Sequence, residues 1–345
     1  MPYPRFPKEC ASALCRHLTP ELYAQLASLK TRYGYTLDDL IRSGVEHPDS
    51  SIGVYAGDEE SYEIFAPLLD PIIREYHRFD PALRKHRSDL EPEHIDAPDP
   101  DPHGRYILST RIRVARNLRC FPLGPNLSRR ERLMAECMIS GALKNLEGDL
   151  AGAYYPLEGM SEQTRKRLTK EHFLFKEGDR FLESAGLNRE WPEGRGIYHN
   201  RDKSFLVWVN EEDQLRIISM EPGGSIRRVF TRLVRGIREL ERQLSFAYNP
   251  RLGYLTSCPT NLGTAMRASV HIRLPRLEKE RTTLEKICQE EELQIRGIHG
   301  EHSESEGGVF DISNRRRLGI TEAEAVSAMT RGVARLIEAE QALER

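Results

Sequence analysis

The chain has 345 residues, enough for one large or two modest domains, and its apolar share of 39% suffices for a substantial core. Charged residues make up 30% but nearly cancel, at a formal net charge of -2, which argues against a bulk nucleic-acid binder. No run approaches the ~18 consecutive apolar residues of a membrane span, and the start, Met1-Pro2-Tyr3-Pro4-Arg5, lacks the apolar core of a signal peptide.

These features predict a cytoplasmic protein with no membrane partner. The six cysteines (Cys10, Cys15, Cys120, Cys137, Cys258, Cys288) form no CxxC pair and no zinc spacing. They are expected as free thiols, most of them filling core volume.

Residues 1–80 read as helical. Thr19-Pro20-Glu21-Leu22 is a helix start, with an N-cap threonine and proline at the first helical position. Thr36-Leu37-Asp38-Asp39 reads as a second start. Residues 59–77 predict a longer helix, with Tyr62, Phe65, Leu68, Leu69, Ile72 and Tyr76 at helical spacing. Residues 44–57, rich in glycine, serine and proline, read as loop.

Residues 81–105 are polar and proline-rich, and repeated X-Pro steps exclude helix, so they are expected to link two domains. From Tyr106 the pattern turns to strands. Leu108, Thr110, Ile112 and Val114 alternate with Ile107, Ser109, Arg111 and Arg113. Residues 205–209 and 215–220 predict two strands joined by Asn210-Glu211-Glu212-Asp213. Residues 266–272 alternate again, and 309–312 are a short strand. Helices are expected at 128–146, 225–244 and 277–290, and a last one opens on the capping box Thr321-Glu322-Ala323-Glu324. Hairpins mixed with helices, without βαβ alternation, predict an α+β fold: a small all-α N-terminal domain (1–80), then a larger domain (106–343) with an antiparallel sheet flanked by helices.

Arg111 and Arg113 lie two apart on a strand and project from one face. Arg267 shares the polar face of its strand with Ser269 and His271. Arg216 follows the acidic turn, and Arg296 opens the glycine-rich segment Arg296-Gly297-Ile298-His299-Gly300. A bound polyphosphate would pair several such guanidiniums at once, although solvent or acid partners explain them equally from spacing alone. No GxxxxGK[ST] loop is present. Glu211, Glu212 and Asp213 crowd three carboxylates into one turn, which suits either a solvated turn or a cationic substrate. Cys258 lies among hydroxyls and backbone donors, a setting that favours a thiolate, with an inert cysteine as the alternative.

Cys258-Pro259-Thr260-Asn261-Leu262-Gly263-Thr264 resembles the signature of the phosphagen (ATP:guanido) kinases. Ser109-Thr110-Arg111-Ile112-Arg113, residues 171–180, 205–216, 267–271 and 296–314 resemble the same family in the same order, over nearly the whole chain. The resemblance implies reversible transfer of the γ-phosphoryl group of MgATP to a guanidinium, with Mg2+ held mainly through ATP and water.

It also implies roles for residues. Nucleotide contacts fall on Ser109, Thr110, Arg111, Ile112, Arg113, His172, Arg216, Arg267, Ala268, Ser269, Val270, His271, Arg296, Gly297, Ile298, His299, Gly300 and Glu301. Arg111, Arg113, Arg216, Arg267 and Arg296 form a phosphate cage. Glu212 and Glu301 hold the guanidinium, with Cys258 beside it. Ser51, Ile52, Gly53, Val54 and Tyr55 contact the amino-acid end, and Asp49 with Arg180 bridges the domains. The short loop 49–55 and Glu301 look like those of arginine kinases, whereas 56–62 is similar to creatine kinases, so free L-arginine is the expected substrate. Creatine or taurocyamine kinases, a protein-arginine kinase and a catalytically dead binding module are the competing readings. The helical N-terminal residues favour a free small molecule, and no cage arginine or carboxylate is missing.

Overall fold

The computed structural model describes residues 2–296 and 307–344. Short helices build the N-terminal part: α1 (Ala13–His17), α2 (Pro20–Leu26), α3 (Leu37–Glu46), α4 (Ser61–Ile64) and α5 (Ala66–His77). Thr19 caps α2, and Thr36 with Asp39 closes a capping box on α3, so both starts read from sequence are present. The single helix expected over 59–77 is instead two. Proline in the first turn of α5 has no N–H to continue the α4 ladder, so the chain restarts after Phe65.

The remainder follows as β1 (Ile107–Arg116), α6 (Arg129–Leu143), β2 (Gly152–Pro156), α7 (Glu162–Lys170), α8 (Arg180–Ser184), β3 (Gly196–Asn200), β4 (Phe205–Val209) and β5 (Leu215–Pro222). Next come α9 (Ile226–Glu241), the small hairpin β6 (Tyr248–Asn249) and β7 (Gly253–Tyr254), β8 (Met266–Arg273), α10 (Pro275–Lys279) and α11 (Arg281–Glu290). The chain ends with β9 (Leu293–Arg296), β10 (Val309–Asn314) and α12 (Glu322–Glu344). Eight strands form one antiparallel sheet in the order β2-β3-β4-β5-β1-β8-β10-β9. The expected helix over 277–290 is divided at Glu280 into α10 and α11.

One face of this sheet is apolar. Ile112 lies opposite Ala268, and Val114 lies between Ile217 and Met266. Against that face α9 lays a stripe of Ile226, Val229, Phe230, Leu233, Val234, Ile237 and Leu240, all buried, and α12 covers β8 and β10. Each such side chain stabilises the layer by roughly 1.5–3 kcal/mol. The alternation in β1 slips at its start: a register shift between Ile107 and Ser109 buries Ile107 and leaves Leu108 41% exposed, the reverse of the strict alternation expected.

The cysteine expectation is also corrected. Cys10 and Cys15 are joined in a disulfide, because the Ser12-capped start of α1 brings their Cα atoms to 6.3 Å. Of the four free thiols Cys258 and Cys288 are buried, whereas Cys120 and Cys137 are exposed.

The helical N-terminal part rests on the larger one through a shared apolar cluster. Leu14, Leu40, Phe65, Leu68 and Ile72 pack in it with Leu123, Leu187, Leu255, Leu262 and Leu318. The proline-rich connection carries one turn of 3-10 helix, at Pro92–His94.

Candidate active site

The opposite face of the sheet is cationic. Arg113 lies directly opposite Arg267 across the β1–β8 ladder, Arg111 opposite Ser269, and Arg216 opposite both Ala115 and Trp208. Arg296 on β9 lies opposite Asp311 on β10, which in turn lies opposite His271. Antiparallel partners share a face, so five guanidiniums are brought to one side of one sheet.

Arg216 pairs with Glu211 at 2.6 Å and Glu212 at 3.0 Å, and Arg267 pairs with Asp311 at 2.8 Å. The Arg113 side chain makes no hydrogen bond or ion pair with another described residue. Burial, then Arg216 and Arg267, push it well below its usual range, and the same causes push Arg111 down to about 10. Trp208 lies beneath two of the cations, its ring 5.3 Å from the Arg111 guanidinium and 5.6 Å from that of Arg216. Crowded, partly desolvated cations of this kind are relieved by an arriving anion.

The acidic turn sits beside them. Asn210 adopts φ 55°, which lets β4 reverse into β5 within a few residues. Asp213 is buried and structural: its Oδ1 accepts from Asn117 Nδ2 at 2.7 Å and from the Ser257 amide at 2.8 Å. Gln214 is buried too, its Oε1 accepting from the Leu118 amide and its Nε2 donating to the Pro122 carbonyl. Glu212 is held by Arg216 on Oε2 and by Asn261 Nδ2 on Oε1 at 3.3 Å. Desolvation outweighs the Arg216 charge and raises it to about 7.

Cys258 opens a 3-10 turn, Pro259–Asn261, and its Sγ lies 3.1 Å from Thr260 Oγ1. Burial, then the Glu212 charge, push the thiol up to about 12. The thiolate expected from the polar loop is therefore disfavoured in this state, because the neighbouring hydroxyl does not offset the desolvation. Arg317 and His77 brace the same turn: Arg317 donates to the Thr260 carbonyl at 3.2 Å and to Asn261 Oδ1, and His77 Nε2 lies 2.9 Å from the Pro259 carbonyl.

The 51–55 loop reaches this point through backbone bonds. The Ala13 and Leu14 amides donate to the Ser51 and Ile52 carbonyls, and the Ala56 amide donates to the Ser257 carbonyl at 2.8 Å. Gly53 has φ +80°. Asp49 and Arg180 form an ion pair that ties the loop after α3 to α8.

The family model for the ATP:guanido phosphotransferase C-terminal catalytic domain matches residues 134–343, and that for the N-terminal domain matches residues 8–74. The chain belongs to the ATP:guanido phosphotransferase family. It is 57% identical over 336 residues to an arginine kinase of Anthopleura japonica, covering 96% of this chain but 47% of that one, so it spans about half the length of that relative. An arginine kinase of Eriocheir sinensis is 48% identical, covering 97% of this chain and 94% of its own length. Among solved structures, a lombricine kinase superposes with a TM-score of 0.91 at 39% identity over 99% of this chain and 95% of that chain. A duplicated taurocyamine kinase of Schistosoma mansoni, with bound transition-state analog components, gives 0.90 at 41% identity over 97% of this chain and 47% of that chain.

In this ATP:guanido phosphotransferase a cavity of about 950 Å³ opens over the cationic face. Ser109, Arg111, Arg113, His172, Arg267, Ser269, His271 and Arg296 of the expected nucleotide set line it. Arg216, paired with Glu211 and Glu212, is not among the lining residues. Nor are Thr110, Ile112, Ala268 and Val270: period-2 alternation buries their side chains on the other face, so only their backbones remain for a ligand. Gly297, Ile298, His299, Gly300 and Glu301 lie outside the described residues. Among the described residues no group of three or more His, Cys, Asp or Glu side chains is set to hold a metal ion.

Three neighbours of these side chains escaped sequence reasoning. Asp311 was legible, since it alternates with Phe310 and Ile312 toward the same face as Arg267. Trp208 and Asn261 gave no pattern that distinguishes a neighbour of Arg216 or Glu212 from ordinary turn and core residues.

Proposed function

We propose that this chain is an arginine kinase, transferring the γ-phosphoryl group of MgATP reversibly to the guanidinium of free L-arginine to give phosphoarginine and ADP. The observation that carries the reading is the juxtaposition of under-neutralised arginines over a large cavity with a buried carboxylate, Glu212, held at their edge. The names of the relatives support the choice of arginine, and the 51–55 loop bonded to the Cys258 loop supports a small amino-acid substrate.

Phosphoryl transfer asks for alignment and charge neutralisation more than covalent help. Arg111, Arg113, Arg216, Arg267 and Arg296 hold the triphosphate, and Mg2+ arrives as part of MgATP and neutralises its developing charge. Glu212 accepts hydrogen bonds from the planar guanidinium and takes the proton that must leave the attacking nitrogen. Its raised affinity for a proton suits that task. Glu301 supplies the second carboxylate. Cys258 meets the guanidinium as a neutral thiol in the free protein, and the approach of a cation draws it toward the thiolate without any covalent bond. Ser51 and Tyr55, with the intervening loop backbone, take the amino-acid end. A cytoplasmic location belongs to the same reading.

A coupled ADP-release assay against arginine, creatine, taurocyamine, glycocyamine and lombricine tests it. Turnover with arginine at least about tenfold above the others in kcat/KM is expected. Preference for another guanidino compound would reassign the substrate, and phosphorylation of protein-bound arginine instead of the free amino acid would reassign the class.

A further inference from the structure

The cavity has a second cationic wall that the phosphate cage does not include. Arg165, Lys166 and Lys170 on α7, and Lys176 beyond it, line the same cavity as the sheet arginines. Their spacing places Arg165, Lys166, Thr169 and Lys170 along one face of α7. Among the described residues, eight Lys and Arg side chains line the cavity, with the carboxylates Glu171, Glu177 and Asp311.

Little of this second wall is neutralised. Lys166 pairs with Glu162 at 2.7 Å on the exposed surface. Arg165, Lys170 and Lys176 make no ion pair with another described residue, and Glu171 is shared with Lys203 at 3.6 Å. Leu168 is the buried residue of α7, so the helix is anchored by one apolar side chain and otherwise displays charge. Mostly exposed and pairing almost nothing, these cations contribute little to the fold.

We infer that Arg165, Lys166, Lys170 and Lys176 form an electrostatic capture rim that draws the polyphosphate of MgATP into the cavity before the cage arginines engage it. The inference rests on the cavity being the nucleotide site. Cations that line a cleft with low-dielectric walls raise the local concentration of an anionic ligand and its rate of entry by about 10- to 1000-fold at low salt. The effect fades once the screening length falls below the width of the opening, about 8 Å at physiological ionic strength. The rim therefore acts on capture, whereas the cage acts on the transferred group.

The test is the full-length triple variant Arg165→Gln/Lys166→Gln/Lys170→Gln, assayed for kcat/KM of MgATP from about 0.02 to about 0.3 M salt. The expected result is a fall of about fivefold or more at low salt, a flatter dependence on ionic strength, and convergence with the parent at high salt. The change should sit in KM for MgATP, with kcat moving less than about twofold. The charge-keeping variant Lys166→Arg/Lys170→Arg should retain the parental slope, which a merely structural role for the helix would not require. Parallel salt profiles for the parent and the triple variant would overturn the rim while leaving the cavity reading intact. If Arg111→Gln and Arg267→Gln variants bind MgATP as tightly as the parent, the cavity reading fails and the rim falls with it.

Discussion

Glu212 keeps its proton up to about pH 7 because burial removes more hydration from the carboxylate than the Arg216 guanidinium returns. The sign of its pH effect follows. Between 4.5 and about 7 the folded chain holds more protons at this group than the unfolded chain does, so Glu212 lowers stability as pH rises through that window. A cationic substrate reverses the balance by pairing with the carboxylate. Arginine binding near neutral pH is therefore expected to release a proton, and the KM for arginine should rise as pH falls below about 7. Calorimetry in two buffers of different ionisation enthalpy reads the proton directly, and identical heats in both would contradict the assignment. Glu212→Gln should lower kcat by more than about tenfold, at least ~1.4 kcal/mol of transition-state stabilisation, with an unchanged kcat removing Glu212 from the mechanism. The same physics disfavours the Cys258 thiolate in the free protein. Sequence shows the hydroxyls around a cysteine but not the burial that outweighs them.

At the scale of elements, the arginine face was legible wherever strands alternate. Arg111 with Arg113, and Arg267 with Ser269 and His271, needed only the period of two. Thr110, Ile112, Ala268 and Val270 were carried along inside matching segments, and the same period places them in the core. β2 was illegible because it is an edge strand exposed along most of its length, so no apolar alternation marks it. The α4–α5 break shows a proline outweighing a continuous helical stripe. A Cβ on Gly53 would meet Leu14 Cβ at 3.0 Å and Gly44 Cα at 3.2 Å, at φ +80°. Gly53→Ala should cost about 1–3 kcal/mol from strain alone and shift Tm by about 2–8 °C. If the 51–55 loop holds arginine, KM for arginine should rise more than kcat falls, and calorimetric and kinetic measurements on one preparation would separate the two effects.

Across the whole molecule, the helical N-terminal part and the sheet domain share apolar contacts rather than meeting at a wet hinge. Phe65, Leu68, Leu69 and Ile72 are fully buried in a cluster that includes Leu255, Leu262 and Leu318. Tyr62 donates from its hydroxyl to the Thr256 carbonyl at 2.7 Å, and Arg251 pairs with Asp70 at 2.7 Å. A fragment of residues 1–105 would expose that surface and is expected to be largely unfolded by circular dichroism, whereas a cooperatively melting fragment would show that the interface adds little. The same contacts carry the Cys258 turn and the 51–55 loop together in one packed body. The most direct test is to follow the intact protein with MgATP and free arginine by 31P NMR. A new phosphoguanidino resonance growing as the γ-phosphate signal of ATP decays, and suppressed in Glu212→Gln, is the predicted result. Loss of the γ-phosphate to inorganic phosphate alone, with no P–N product, would contradict it.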